Sequence, residues 1–256
     1  VELSALTYQL LMSTARIALN EAGDPYSPRK QGAGIADIES VLAATAYAWT
    51  KNADGSTSDK TKIELGDDPE KLGRYVMTYY LTNTSADAVT YTLGEYIMTE
   101  KVSSDGLTVA ERAYLFDDCK TEYKVTDVGN SDHTFRAGQK KLTVEGGSTV
   151  EITVTVTLSA EDRAYLDEHF ENGMYVEGFL TMTADDAAVV DLSVPFLAFY
   201  GDWTASPMFD YSVFDIADIE QDDSIPDDEK DTVSFFATAP YAKYGKNYII
   251  PMGQYV

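Results

Sequence analysis

The side chains best suited to chemistry are few in this chain and lie far apart. The single cysteine, Cys119, follows two aspartates and has no identifiable histidine base. Neighbouring acids raise the pKa of a thiol and reduce its reactivity. His133 lies in a polar loop without a second ligand nearby, and His169 lies at the end of a predicted helix, where a cation interacts favourably with the helix dipole. We therefore interpret His133 as a surface residue and His169 as a helix-capping residue.

Sequence motifs for catalysis and metal binding are also missing. No serine occupies a nucleophile-elbow sequence, and there is neither a glycine-rich phosphate loop nor zinc-ligand spacing. Asp54 and Asp59 border a loop that lacks the alternating acids and terminal glutamate of an EF-hand, and four aspartates between residues 222 and 228 surround a proline. We interpret both stretches as solvated, with calcium binding as the alternative. We predict no catalytic residues, no metal ligands and no cofactor.

Charge and composition exclude several classes of partner. The chain has 256 residues and a net charge of −24, from 43 acidic and 19 basic residues. This charge argues against nucleic-acid binding, which needs a basic surface, and against attachment to an anionic membrane. No apolar run approaches the ~20 residues of a membrane helix. An apolar fraction of 44% suffices for a sizeable core, and a single cysteine excludes an internal disulfide.

The N-terminal stretch has helical periodicity. The spacing of apolar residues predicts a helix over residues 3–19, after which Pro25 and Pro28 introduce a loop and a short glycine-rich strand. A second helix is predicted from Ile35, with Asp37 at its start, where the carboxylate can accept backbone N–H bonds. The first helix begins without a signal peptide, so we expect the chain to be an excised piece of a longer protein.

From Ala46 onward the sequence is typical of an antiparallel β-sandwich. Residues 149–158 alternate five apolar residues with a glutamate and threonines, which predicts one buried face and one wet face. Gly178 inside a strand indicates a bulge or a close backbone approach, and Pro195 indicates an edge position or a strand start. Further strands are predicted at 74–85, 88–98, 173–182 and 190–199, with a capped helix after residue 159.

Two segments near the N-terminus resemble the end of a subtilisin-like catalytic domain. Residues 11–15 read Leu-Met-Ser-Thr-Ala, and residues 27–34 read Ser-Pro-Arg-Lys-Gln-Gly-Ala-Gly, which departs from the family pattern at Lys30. Two later segments, within residues 173–182 and 190–203, are similar to segments of the same proteins, although Tyr200 replaces an arginine. The resemblance covers most of residues 1–203. It is to the cell-envelope serine proteinases of the lactocepin and streptococcal complement-cleaving type.

The resemblance implies a chain of three parts. Residues 1–45 would be the C-terminal remnant of a subtilisin-like catalytic domain, residues 46–203 a fibronectin-III-like β-sandwich, and residues 204–256 an acidic linker and the start of a following β domain. The fold class is therefore mostly β, an antiparallel sandwich preceded by a short helical segment from the end of an α/β domain. The aspartate, histidine and serine of the family's catalytic triad would lie upstream of this chain.

The function implied is that of a non-catalytic portion of a secreted or wall-attached serine endopeptidase of a Gram-positive-like bacterium. The sandwich would brace the catalytic domain and help to bind protein substrates, so both are expected partners. Residues 1–45 would normally pack on a catalytic core, and we expect self-association through them or an altered packing of the first helix. The alternative is a stand-alone bacterial surface adhesin or glycan-binding β-sandwich, whose exposed aromatic side chains would supply stacking surfaces.

Overall fold

The computed structural model describes residues 3–103 and 109–205, and two short strands at 243–244 and 247–248. The chain divides into two compact units, Val1–Trp203 and Thr204–Val256. The first unit contains the N-terminal segment, which we define as residues 3–45, and a β-sandwich. In the second unit the two short strands pair with each other in antiparallel fashion. The predicted calcium alternative between residues 222 and 228 lies outside the described residues.

The chain is mostly β. Its helices are α1 (Leu3–Ser13), α2 (Pro28–Gln31), α3 (Ile38–Ala43) and α4 (Ala160–His169), with one 3₁₀ turn at Ala137–Gln139. The strands are β1 (Ala46–Trp49), β2 (Ile63–Asp68), β3 (Arg74–Asn83), β4 (Val89–Val102), β5 (Val109–Leu115), β6 (Lys120–Asp127), β7 (His133–Arg136), β8 (Lys141–Val144), β9 (Thr149–Thr157), β10 (Met174–Ala184), β11 (Leu192–Tyr200), β12 (Lys243–Tyr244) and β13 (Asn247–Tyr248).

Two sheets form the sandwich, which confirms the predicted fold class. The first sheet has the strand order β1-β3-β9-β6, and the second has the order β2-β11-β10-β4-β8-β7, with β5 also paired to β4. Every pair is antiparallel except β2 and β11, which run parallel. The sequence did not predict this parallel pair, because β2 has only a weak apolar alternation and its partner lies more than a hundred residues away.

The core lies between the two sheets, and β9 shows how the sequence places it there. The apolar residues of β9 are fully buried on one face, while its threonines and Glu151 are half-buried on the other. Facing side chains from the second sheet, including Leu93, Leu180 and Val194, complete the same apolar cluster. Alternation with a period of two therefore determines which face of each strand is buried.

Helix ends follow local hydrogen bonding, and one predicted boundary was wrong. The helix α1 ends at Ser13, whereas the apolar spacing predicted residue 19. The hydroxyl of Thr14 donates to the carbonyl of Leu10 at 2.8 Å, and the backbone of Arg16 then pairs with that of Ile35 in both directions, at 2.9 and 2.8 Å. The chain therefore leaves the helix after Ser13 and forms an antiparallel bridge, which the spacing of apolar residues does not predict.

Two sequence predictions concern residues inside strands, Gly178 in β10 and Pro195 in β11. Gly178 makes the predicted close approach, because a methyl group there would overlap the carbonyl oxygen of Tyr96 on β4 and lie 3.0 Å from the ring of Phe196. Pro195 lies in the interior of β11 and not at its start, but it occupies an edge position, because β11 is paired there only with β10. The pairing of β2 with β11 begins only at Phe196, which leaves the imide nitrogen of Pro195 without a ladder partner to satisfy.

Candidate docking surface

The N-terminal segment covers the outer face of the second sheet. On β10, Gly178 faces the core, so Glu177 and Phe179 face outward. Both of these outward-facing residues are nevertheless buried. The helix α2 packs against β10 and β11, and α1 packs against β1 and β11. The segment is therefore a third layer of this unit and not an independent appendage.

One arginine makes the polar contacts between this segment and the sheet. Ser27 accepts a hydrogen bond from the N–H of Arg29 and so caps the single turn of α2. The guanidinium of Arg29 donates to both carboxylate oxygens of Glu177, at 3.0 and 2.9 Å, and to Glu100 on the neighbouring strand β4 at 2.8 Å. It also lies over the ring of Tyr175, with the central carbon 4.4 Å from the ring centroid. We call Arg29, Glu177, Glu100 and Tyr175 the Arg29 clamp.

The clamp is electrostatically strong because it is partly removed from water. The side chain of Glu177 is only 2% exposed. Burial alone would lower the pKa of Arg29, but the hydrogen bonds and charges of Glu177 and then Glu100 outweigh it and raise the pKa. The pair is a bidentate, charge-assisted contact of the kind that fixes geometry as well as contributing energy.

The fully buried residues of α1 are small or polar, and large apolar residues beside them are half-buried. Its buried residues are Ala5, Gln9 and Ser13. The amide of Gln9 donates to the carbonyl of Ser58 at 2.7 Å, but its Oε1 and the hydroxyl of Ser13 are buried without a partner. Leu6, Leu10, Leu11 and Met12 are half-buried and supply the apolar part of this contact.

The outward side of the same segment is rich in exposed apolar side chains. Among the described residues, eleven large apolar side chains are exposed, and seven of these lie between residues 3 and 42. Leu42 is 83% exposed and Leu3 82%. We call the seven the exposed apolar set: Leu3, Tyr8, Leu19, Tyr26, Ile35, Ile38 and Leu42. A concentration of this kind on a small part of a globular unit marks an interaction surface.

The helix α3 shows how local sequence creates this exposure. Asp37 caps α3 as predicted, accepting the backbone N–H groups of Glu39 and Ser40 at 3.0 and 3.2 Å. These hydrogen bonds lower the pKa of Asp37. Ile38 and Leu42 are then one turn apart on the same side of the helix, and both point to solvent. In the described chain, this apolar side of α3 is therefore exposed.

The residues considered for chemistry in the sequence remain scattered. Burial raises the pKa of Cys119, whose sulfur is 4.0 Å from the hydroxyl of Thr121. His133, which was predicted as a surface residue, is half-buried at the start of β7 and pairs with the carboxylate of Asp127. His169 lies in the last turn of α4, as expected. No cluster of potential metal ligands occurs in the part of the chain that the structure describes.

Sequence reasoning missed the partnership between Arg29 and Glu177. The two residues are 148 positions apart, and no periodicity links them. A signal was nevertheless present, because each lies in one of the segments that carry the family resemblance.

Among the described residues, no helix is both long and apolar enough to cross a membrane.

Comparison with known proteins agrees with the architecture. Residues 63–197, just over half of the chain, match the family model of the Fn3-like domain. The C5a peptidase of Streptococcus pyogenes serotype M3 is 24% identical over 214 residues, which are 83% of this chain and 16% of that protein. The PI-type proteinase of Lactococcus lactis subsp. cremoris is 26% identical over 195 residues, 72% of this chain and 8% of that protein.

The two relatives are much longer than this chain. The matched region spans about a sixth of the streptococcal protein and less of the lactococcal one. The match to C5a peptidase exceeds the Fn3-like region, since it covers 83% of the chain. With its two-sheet sandwich and its matched residues, the chain belongs to the family of Fn3-like domains.

Proposed function

We propose that this chain is the non-catalytic portion of a secreted or cell-surface, subtilisin-like serine endopeptidase. In this proposal the N-terminal segment is the last part of the catalytic domain, and the sandwich braces that domain. The observation that carries the proposal is the exposed apolar set, because seven of the eleven exposed large apolar side chains among the described residues lie on this one segment. An upstream domain packed on them would bury this surface.

The similarity to two proteinases supports a catalytic domain as the partner that covers the exposed apolar set. One relative is a peptidase and the other a proteinase, and this chain matches a small fraction of each. The Ser-Pro-Arg segment, which resembles part of the end of a subtilisin-like domain, is flanked directly by Tyr26 and Ile35 of the exposed apolar set. The parent would then cleave peptide bonds with an upstream Asp-His-Ser triad and would act outside the cell or on the cell wall.

The bracing role is tested by deleting residues 46–203 from the parent polypeptide. We expect a lower melting temperature of the catalytic domain, because Arg29 and the rest of the N-terminal segment would lose the sheet on which they pack. We also expect slower cleavage of a protein substrate relative to a short peptide. Unchanged stability together with unchanged activity on both substrates would refute the proposal. A control deletion of residues 204–256 should leave the melting temperature of the catalytic domain unaffected.

A second candidate function, glycan binding, is favoured by one observation. Trp203 is 59% exposed, and its ring packs edge-on against Phe199 at 5.2 Å between centroids. It borders a shallow groove of about 290 Å³ that also contains Tyr175 and Asp67, whose carboxylate accepts the backbone N–H of Trp203 at 3.0 Å. Binding of the purified chain on a glycan array, lost in Trp203→Ala, would favour this function over bracing.

A further inference from the structure

Every hydrogen bond that the structure gives to the carboxylate of Glu177 comes from Arg29, as far as the described residues show. Because this carboxylate is only 2% exposed, removing the guanidinium would leave a buried charge without a partner. Breaking one half of such a pair is far more costly than the net contribution of the intact pair. The contact therefore favours this position of α2 over any shifted position in which the segment still covers Glu177 but the guanidinium no longer reaches it.

The partners of Arg29 also define an orientation. Glu177 lies on β10 and Glu100 on the adjacent strand β4, close to the point where Glu177 pairs with Met98. The guanidinium contacts both strands and stacks on Tyr175, which constrains its position in the plane of the sheet and its height above it. A single ion pair on a flexible side chain would not impose this constraint.

We infer that Arg29 is a positioning residue that fixes the N-terminal segment in one orientation on the second sheet and thereby presents the exposed apolar set to its partner. Among the described residues of the segment, the side chain that hydrogen-bonds to β10 and β4 is that of Arg29, which is the reason why this task depends on the clamp. The identity of that partner as a catalytic domain rests on the proposed function, whereas the positioning of the segment does not.

The test is amide hydrogen exchange on the 256-residue chain, followed by mass spectrometry. The reporter amides are those of Arg16 and Ile35, which bond to each other within the segment, and the reference amides are those of β9. We expect Arg29→Gln to accelerate exchange at the reporter amides about tenfold or more, with β9 unchanged. Lys30→Gln is the matched control, because Lys30 is exposed, adjacent and of equal charge.

Three further variants separate positioning from general destabilisation. Glu177→Gln should accelerate the same amides, and combining it with Arg29→Gln should add little, because both changes remove one shared interaction. Arg29→Lys keeps the charge but loses the bidentate fork, so its effect should lie between those of the wild type and Arg29→Gln. If Arg29→Gln does not fold, Arg29→Lys and Glu177→Gln still provide the comparison.

Two results would overturn the inference. One is unchanged exchange at the reporter amides in both Arg29→Gln and Glu177→Gln. The other is an equal acceleration of β9 in every clamp variant, which would show a global loss of stability without local release of the segment. Neither measurement needs an upstream domain, so a failure of the deletion experiment on the parent would leave this result standing, and the converse also holds.

Discussion

Substituting alanine for Gly178 perturbs the point where β4 approaches β10 most closely. Gly178 has a φ of +155°, a backbone conformation that is essentially restricted to glycine. The added methyl group would overlap the carbonyl oxygen of Tyr96, lie 2.8 Å from its carbonyl carbon and lie 3.0 Å from the ring of Phe196. Two of these three atoms belong to the backbone of Tyr96, which pairs with Phe179 on β10, so β4 cannot move away from β10 without losing ladder bonds.

Two costs add at this position. Forcing a non-glycine residue into this conformation costs about 1–3 kcal/mol. Inserting a methyl group into a packed site costs about another 1–3 kcal/mol. We therefore expect Gly178→Ala to reduce the free energy of unfolding by about 4 kcal/mol. For a unit of this size, that loss corresponds to a fall of about 8–16 °C in melting temperature.

A matched control separates the clash from the backbone strain. Gly129 has a φ of +68°, but a methyl group there would meet no atom within 4 Å. Gly129→Ala should therefore cost only about 1–2 kcal/mol, from the left-handed conformation alone. Both values can be measured by urea unfolding, followed by the fluorescence of Trp49, which stacks on Tyr80 in the first sheet. Equal destabilisation by the two variants would refute the close approach of β4 and β10.

Three other predictions concern the surface, a buried turn and alkaline stability. We expect Leu42→Asp to weaken self-association in sedimentation velocity at about 100 µM without lowering stability, whereas Leu72→Asp, an exposed leucine outside the segment, should not. Asn83→Ala should lower the free energy of unfolding by about 3 kcal/mol, measured by urea unfolding, because the buried amide nitrogen donates to three backbone carbonyls. The control Asn52→Ala, in an exposed loop, should lower it by less than about 0.5 kcal/mol. Burial, together with the nearby charge of Asp167, raises the pKa of Tyr200 to about 12, above the value of an unfolded tyrosine, so stability should hold to pH ~10 and fall as pH rises toward 12. A urea midpoint that already declines below pH 9 would contradict this last expectation.

The sequence predicted the features that depend on residues close together in the chain, such as the buried face of β9 and the helix caps. The alternation in β9 gave its buried face correctly, and Ser159 and Asp162 form the capping box expected at the start of α4. Asp37 was identified as a cap for the same reason, since a carboxylate before a helical repeat accepts the first free N–H groups. Each of these features is determined by neighbours within a few residues along the chain.

Features that depend on distant parts of the chain were beyond the sequence. The parallel pairing of β2 with β11 and the early end of α1 at Ser13 arise from long-range backbone pairing. The Arg29 clamp joins residues 148 positions apart, and Arg29 looks in sequence like an ordinary exposed cation. The resemblance to subtilisin-like proteinases identified the segment that contains Arg29, but only the structure shows which side of this segment packs and which side is exposed.

The coding sequence immediately upstream of Val1 is the most direct test of the central claim that the N-terminal segment completes a catalytic domain. We predict a Gly-Thr-Ser-Met-Ala-like nucleophile motif a few tens of codons before Val1, with aspartate and histidine motifs farther upstream. Together these would supply the triad whose domain covers the exposed apolar set. A signal peptide directly preceding Val1 would contradict the account, because no catalytic domain could then precede the segment, and the chain would have to act as a binding module.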